Sequence, residues 1–289
     1  MHILPKYSDD PIDVILQDET EPDLFFLSNS PETKLVSKAI NLMDWSKSPK
    51  KIYCSLKNLP DRLKGRTMYD IMPVGSVEFV REAMRCLNVV EPDGVGYMFP
   101  GRKDLGRKVE LMSKGHFEGH VRKGDAYFIK PDKVKQFTGF VLDGEKATVE
   151  SLEDLAVYDG LPDDTLIWVS EVVDFQIEWR AFVVMTDEGY RVVGFSCYKS
   201  DEYEESFGTN IKAAEQLLNI EAEHALTFAE HVVAKLGYIG IAGFSLDVGL
   251  CSDGEFRVVE INDGWALGCY DCGYRGYWEV LRKRWGGMG

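Results

Sequence analysis

Phe256-Arg-Val-Val-Glu260-Ile-Asn-Asp-Gly264 decides the reading of this chain, because an apolar run that alternates with polar residues ends in an acid, an amide and a second acid. Alternate side chains of a strand share a face, so Glu260 and Asn262 point the same way. Upstream lies a second apolar run, Gly243-Phe-Ser-Leu-Asp247-Val-Gly-Leu250, and Ser252-Asp253-Gly254-Glu255 between the two is a short Asp-Gly turn. The pair predicts an antiparallel hairpin. Folding it about that turn sets Asp247 opposite Glu260 and gathers three oxygen-bearing side chains. Two carboxylates and an amide form the hard-oxygen set that Mg²⁺ uses alongside nucleotide phosphates, although acids on an exposed hairpin are more often simply solvated.

Working back from the hairpin, Glu221 to Leu236 carries apolar residues at helical spacing and is read as an amphipathic helix. Trp179 to Tyr198 reads as a hairpin turning at Asp187-Glu188-Gly189, and Leu166 to Val173 as a strand. Glu178 and Arg180 fall on one strand face, either to serve a ribose and a phosphate or carboxylate, or as a mutual surface pair. Strands are also predicted at Tyr127–Lys130 and Gly139–Leu142. Between them, Lys130 and the stretch Lys135-Gln-Phe-Thr-Gly139 suit a phosphate clamp, in which lysine acts as a point charge and free N–H groups complete the cradle. The basic cluster Arg102, Lys103, Arg107 and Lys108 reads as a solvated helix face.

The first third reads as small α/β units. A strand is expected at Asp23–Leu27, and then a helix capped by Ser30 with Pro31 at its first position, ending near Trp45. Further strands are expected at Ile52–Leu56 and Met68–Met72, the latter running through Pro73-Val74-Gly75-Ser76 into a helix from Val77 to Leu87. A strand, glycine turn and helix in sequence aim backbone N–H groups at an anion, though a plain structural turn has the same signature. A Pro- and Gly-rich shift near Glu91–Gly101 sets the expected domains at 1–95 and 96–289, the second dividing at about 172 and 173.

A formal charge of -15 argues against nucleic acid as the main partner. The six scattered cysteines read as reduced thiols of a cytoplasmic protein, and Cys269 and Cys272 as two loop thiols, since no second ligand pair stands at zinc spacing. No apolar stretch approaches a membrane span.

Taken in order, these motifs resemble the ATP-grasp superfamily. A lysine precedes proline on a strand, a glycine loop and an acidic hinge follow, Glu178 comes seven residues after Glu171, and Asp247, Glu260 and Asn262 close the series. More closely, Pro73-Val-Gly-Ser-Val-Glu-Phe79, Lys135-Gln-Phe-Thr-Gly139, Glu178-Trp-Arg180 and Glu260-Ile-Asn-Asp-Gly264 resemble the phage and bacterial branch named for two arginines and one lysine. Lys130 stands where that branch has arginine, which keeps the charge and loses the bidentate fork. Ser245 stands where many peptide-forming relatives have arginine.

The resemblance implies an α+β architecture, with an α/β N-terminal domain followed by an ATP-grasp fold of two antiparallel α+β subdomains. It implies ATP and Mg²⁺ as cofactors, with Lys130, Lys135, Thr138 and Gly139 at the phosphates, Glu171, Val172 and Val173 along the adenine, and Glu178 on the ribose. The metal falls to Asp247, Glu260 and Asn262, the catalytic roles to Arg180 and Lys135, and substrate contacts to Gly75, Ser76, Asp263 and Gly264. The implied activity is a carboxylate–amine ligase that forms an amide or peptide bond through an acyl phosphate. A kinase or a non-catalytic nucleotide-binding protein would share the ATP site.

Overall fold

Val14, Ile15 and Leu16 are wholly buried and form the middle of the first sheet. The computed structural model describes residues 12–18, 31–42, 48–93, 95–97, 102–120, 125–133, 136–143, 146–148, 152–200, 211–270 and 272–288. That first sheet is parallel, in the order β2 (Lys51–Cys54), β1 (Asp13–Gln17), β3 (Ile71–Val74), with helices α1 (Pro31–Asn41), α2 (Leu59–Leu63) and α3 (Val77–Leu87). The strand expected at Asp23–Leu27 lies outside the described residues, as do Ser30 and Trp45, and α1 ends at Asn41. The third strand starts later than the sequence suggests, because Asp70 accepts hydrogen bonds from the Thr67 backbone and hydroxyl and holds 67–70 in a turn. Pro73 is tolerated inside β3 because β3 is an edge strand and loses no ladder bond.

The second sheet is antiparallel, in the order β4 (Val109–Ser113), β8 (Leu166–Glu171), β5 (Ala126–Pro131), β6 (Phe140–Asp143), β7 (Lys146–Thr148), with α4 (Lys114–His120) and α5 (Leu152–Asp159) alongside. The third is also antiparallel, in the order β10 (Gly189–Lys199), β9 (Phe175–Thr186), β11 (Gly243–Cys251), β12 (Phe256–Asp263). Two antiparallel sheets after a parallel unit make the chain α+β.

Alternation along β9 sorts the third sheet into two faces. Trp179, Ala181 and Val183 pack with Ala225, Ala229, Val232 and Val233 of α6 (Ile211–Lys235), a helix that begins earlier than its apolar stripe suggests. Phe182 and Val184, on the opposite face, join the core that holds α7 (Tyr274–Gly286) and the first sheet. Arg180 shares that second face with Phe182. Every residue of β11 is buried, because the strand is flanked on both edges and covered on both faces. Among the described residues no helix is long and apolar enough to cross a membrane.

Candidate active site

Register places the central cluster. Asp247 pairs with Glu260 on β12 and with Arg180 on β9, so three charged side chains are delivered side by side onto the face not occupied by α6. A bulge follows at once, where the register shifts between Asp247 and Val248. It turns Val258 and Ile261 into the α6 core while Glu260 and Asn262 keep the other face.

The cluster is closely interlocked. Arg180 grips Asp247 with Nε to Oδ1 at 2.8 Å and Nη2 to Oδ2 at 2.7 Å. From β5, across the cleft, Lys130 reaches Glu260 at 2.5 Å. Asn262 Nδ2 donates to both carboxylates, at 3.0 Å to Asp247 Oδ2 and 2.8 Å to Glu260 Oε1. All four acidic oxygens therefore accept a hydrogen bond. Aromatic faces back the two cations: Lys130 lies 4.5 Å from the Tyr97 ring centre, and Arg180 lies 5.5 and 5.2 Å from those of Tyr198 and Tyr270, which stack on each other.

Burial and pairing pull the two acids apart. Burial pushes Asp247 above the usual carboxylate range and outweighs the Arg180 charge that opposes it. At Glu260, burial is overcome by the Lys130 charge and its hydrogen bond, and the group is held below its usual range. The Glu260 charge likewise outweighs desolvation at Lys130 and raises it. Glu260 thus holds its negative charge more firmly than Asp247 does, as expected of two carboxylates sharing one site.

The cluster forms one wall of a cleft of about 800 Å³ between the second and third sheets, a size suited to a nucleotide-sized ligand. Thr138, Gly139 and Glu178 also line it. Glu178 already accepts from the Tyr198 hydroxyl at 2.6 Å and from Lys199 at 3.1 Å, so it does not pair with Arg180. The Thr138 N–H is bound to Asp154, and the close approach of Gly139 to the Phe128 ring leaves no room for a Cβ. Lys135 lies outside the described residues.

Other expected site residues have different surroundings. Glu171, Val172 and Val173 line a separate hollow beside Arg107, and Glu171 accepts from the Lys108 N–H at 2.8 Å. Gly75 and Ser76 are not part of the cleft lining: the Ser76 N–H donates to Gln17 at 2.6 Å and its hydroxyl caps Phe79, so the turn is structural. Asp263 borders the cleft with its carboxylate committed to Arg284, and Gly264 is needed for packing, since a Cβ there would meet the Gly243 carbonyl. Arg107 is not a solvated charge. Its guanidinium donates to the carbonyls of Val258 and Val259, both at 2.7 Å, beside the β12 bulge, and lies over the rings of Tyr97 and Phe175. Tyr97, Tyr198, Trp265 and Tyr270 border the site without any periodic or spacing signal to mark them.

A family model matches residues 105–280, and it describes family 2 of the ATP-grasp domains in the clade named for two arginines and one lysine. That span is more than half of the chain, and the chain belongs to this family. Among solved structures, the chain is similar to an L-amino acid ligase from Bacillus licheniformis (TM-score 0.46, 10% identity, covering 96% of this chain and 75% of that one). It is also similar to an N5-carboxyaminoimidazole synthase from Aspergillus clavatus (0.43, 13%, 96% and 77%). A third is D-alanine–D-alanine ligase from Bacillus anthracis complexed with ATP (0.40, 12%, 96% and 97%). No curated protein matches the chain.

Proposed function

We propose that this protein is an ATP- and Mg²⁺-dependent carboxylate–amine ligase that makes an amide bond through an acyl phosphate and releases ADP and phosphate. The observation that carries the reading is the convergence of Asp247, Glu260 and Asn262 with Lys130 and Arg180 at one wall of the cleft. The oxygen donors fit a hard divalent cation. Bound at Asp247, Glu260 and Asn262, Mg²⁺ would supply charge neutralisation at the phosphate oxygens during transfer.

The chain's own residues do the rest. Lys130, with Lys135 from the neighbouring loop, holds the triphosphate. Arg180 steadies the substrate carboxylate in line with the γ-phosphorus, and then the oxyanion that develops when the amine attacks. Tyr198, Trp265, Leu267 and Tyr270 give the far part of the cleft an apolar wall that keeps water from the acyl phosphate. With Gly75 and Ser76 engaged internally, the acceptor side of the cleft falls to the 265–270 loop.

The test is product analysis with ATP, Mg²⁺ and a panel of amino acids and short peptides, followed by the hit's carboxylate labelled with ¹⁸O. ADP and a phosphate carrying one label are expected. AMP and pyrophosphate, or a phosphorylated product with no amide, would overturn the ligase mechanism.

A further inference from the structure

The two acids and two cations of the cluster sum to zero charge while no oxygen of either carboxylate is left without a donor. A divalent ion arriving alone would have to displace Lys130 from Glu260 and Arg180 from Asp247, and turn the Asn262 amide to present its oxygen. It would also add two positive charges to a buried site while parting both cations from their anions. A triphosphate arriving alone meets the mirror-image difficulty, because Lys130 and Arg180 are already neutralised by the acids. Arriving together, the phosphates take over the cations while the metal takes over the carboxylates, and every charge keeps a partner.

We infer that Lys130 and Arg180 act as an internal cation lock on the metal ligands, so that divalent metal and nucleotide phosphate bind this protein strongly only as a pair. This rests on the assignment of the metal to Asp247, Glu260 and Asn262. The aromatic faces behind the cations favour it, because Tyr97 keeps Lys130, and Tyr198 and Tyr270 keep Arg180, within the cleft when the carboxylates let go. Linkage makes the coupling reciprocal: whatever factor nucleotide adds to metal affinity, metal adds to nucleotide affinity.

The test uses the full chain and Mn²⁺ as an ion whose free concentration is read by electron paramagnetic resonance. Without nucleotide, the wild type should bind Mn²⁺ weakly. Lys130→Met, which frees a Glu260 oxygen, should bind it at least about tenfold more tightly, a factor worth ~1.4 kcal/mol. Lys133→Met removes the same charge from an exposed position on the cleft rim and should behave as the wild type. Wild-type affinity for Mn²⁺ alone equal to that of Lys130→Met, or an equal gain in Lys133→Met, overturns the lock and leaves the metal site standing. A separate arm adds an ATP analogue with a nitrogen bridge between the β- and γ-phosphorus. If the wild type then takes up no Mn²⁺ beyond what the analogue chelates in free solution, the metal assignment falls, and the lock with it.

Discussion

Asp263 and Arg284 face each other as a doubly hydrogen-bonded ion pair, Nε to Oδ1 at 2.5 Å and Nη2 to Oδ2 at 2.8 Å, with both side chains almost wholly out of solvent. Asp263 also accepts from the Trp265 N–H at 3.3 Å, so one carboxylate ties the end of β12 and the start of the 265–270 loop to α7. Asp263→Ala leaves the Arg284 guanidinium buried without its counter-charge, a change that costs about 3–5 kcal/mol. Urea denaturation should register that loss. Nucleotide affinity of the folded variant should stay within about threefold of wild type; a tenfold fall with stability unchanged would return Asp263 to the substrate contacts expected from the sequence.

Arg180→Ala should separate turnover from binding. The oxyanion that Arg180 stabilises in the proposed reaction exists only once phosphate transfer has begun. kcat should fall by about 10²–10³, the usual effect of removing one such donor. Affinity for the ATP analogue with Mg²⁺, measured by calorimetry, should change far less. Equal losses in both would make Arg180 a ground-state phosphate ligand only.

Ser245 is wholly buried opposite Asn262, and its hydroxyl has no hydrogen-bond partner among the described residues. An unpaired buried hydroxyl carries a desolvation cost of roughly 1–3 kcal/mol on mutational scales. Ser245→Ala should therefore leave the protein as stable or raise its stability by up to about 1 kcal/mol. A clear drop in the melting temperature would show that the hydroxyl has a role the fold alone does not reveal.

Asp70 titrates low because the Thr67 backbone N–H, and after it the Thr67 hydroxyl, bind the charged carboxylate. A depressed folded-state value contributes stability above the unfolded value of about 3.9, and that contribution disappears as pH falls through the folded-state value. Carboxyl carbon shifts should place the Asp70 midpoint below about 3.9. Asp70→Asn should flatten the acid limb of the stability profile in that window and leave stability near neutral pH reduced.

The hairpin that gathers Asp247, Glu260 and Asn262 is legible in the sequence because both of its determinants are local: a short Asp-Gly turn and strict alternation on either side. The bulge after Asp247 leaves that pairing intact, since it falls on the turn side of the cluster. Val77–Leu87 is legible for the same reason, its start fixed by the Ser76 cap. What the sequence hides depends on distant partners. Arg107 looks like one charge in a basic run, yet its acceptors are carbonyls 151 and 152 positions away. Gly75-Ser76 has the signature of an anion turn, and only the fold brings in Gln17, 59 residues earlier, to fill it. β1 escapes notice because Asp13–Gln17 is too short to show a period, although it is the strand that both others pair with.

Residues 172–174 carry the chain from β8 to β9, from one wall of the cleft to the other, and they border the same hollow as Arg107. The covalent link between the two sheets and the Arg107 link to the Val258 and Val259 carbonyls therefore lie along a single edge. Sheets joined along one edge do not part by sliding; they swing, as covers do about a spine. Small changes in angle at Arg107 become large travel at the opposite rim, where Thr138 meets Asp154. The guanidinium fixes the axis of that swing, and with it the direction from which anything enters.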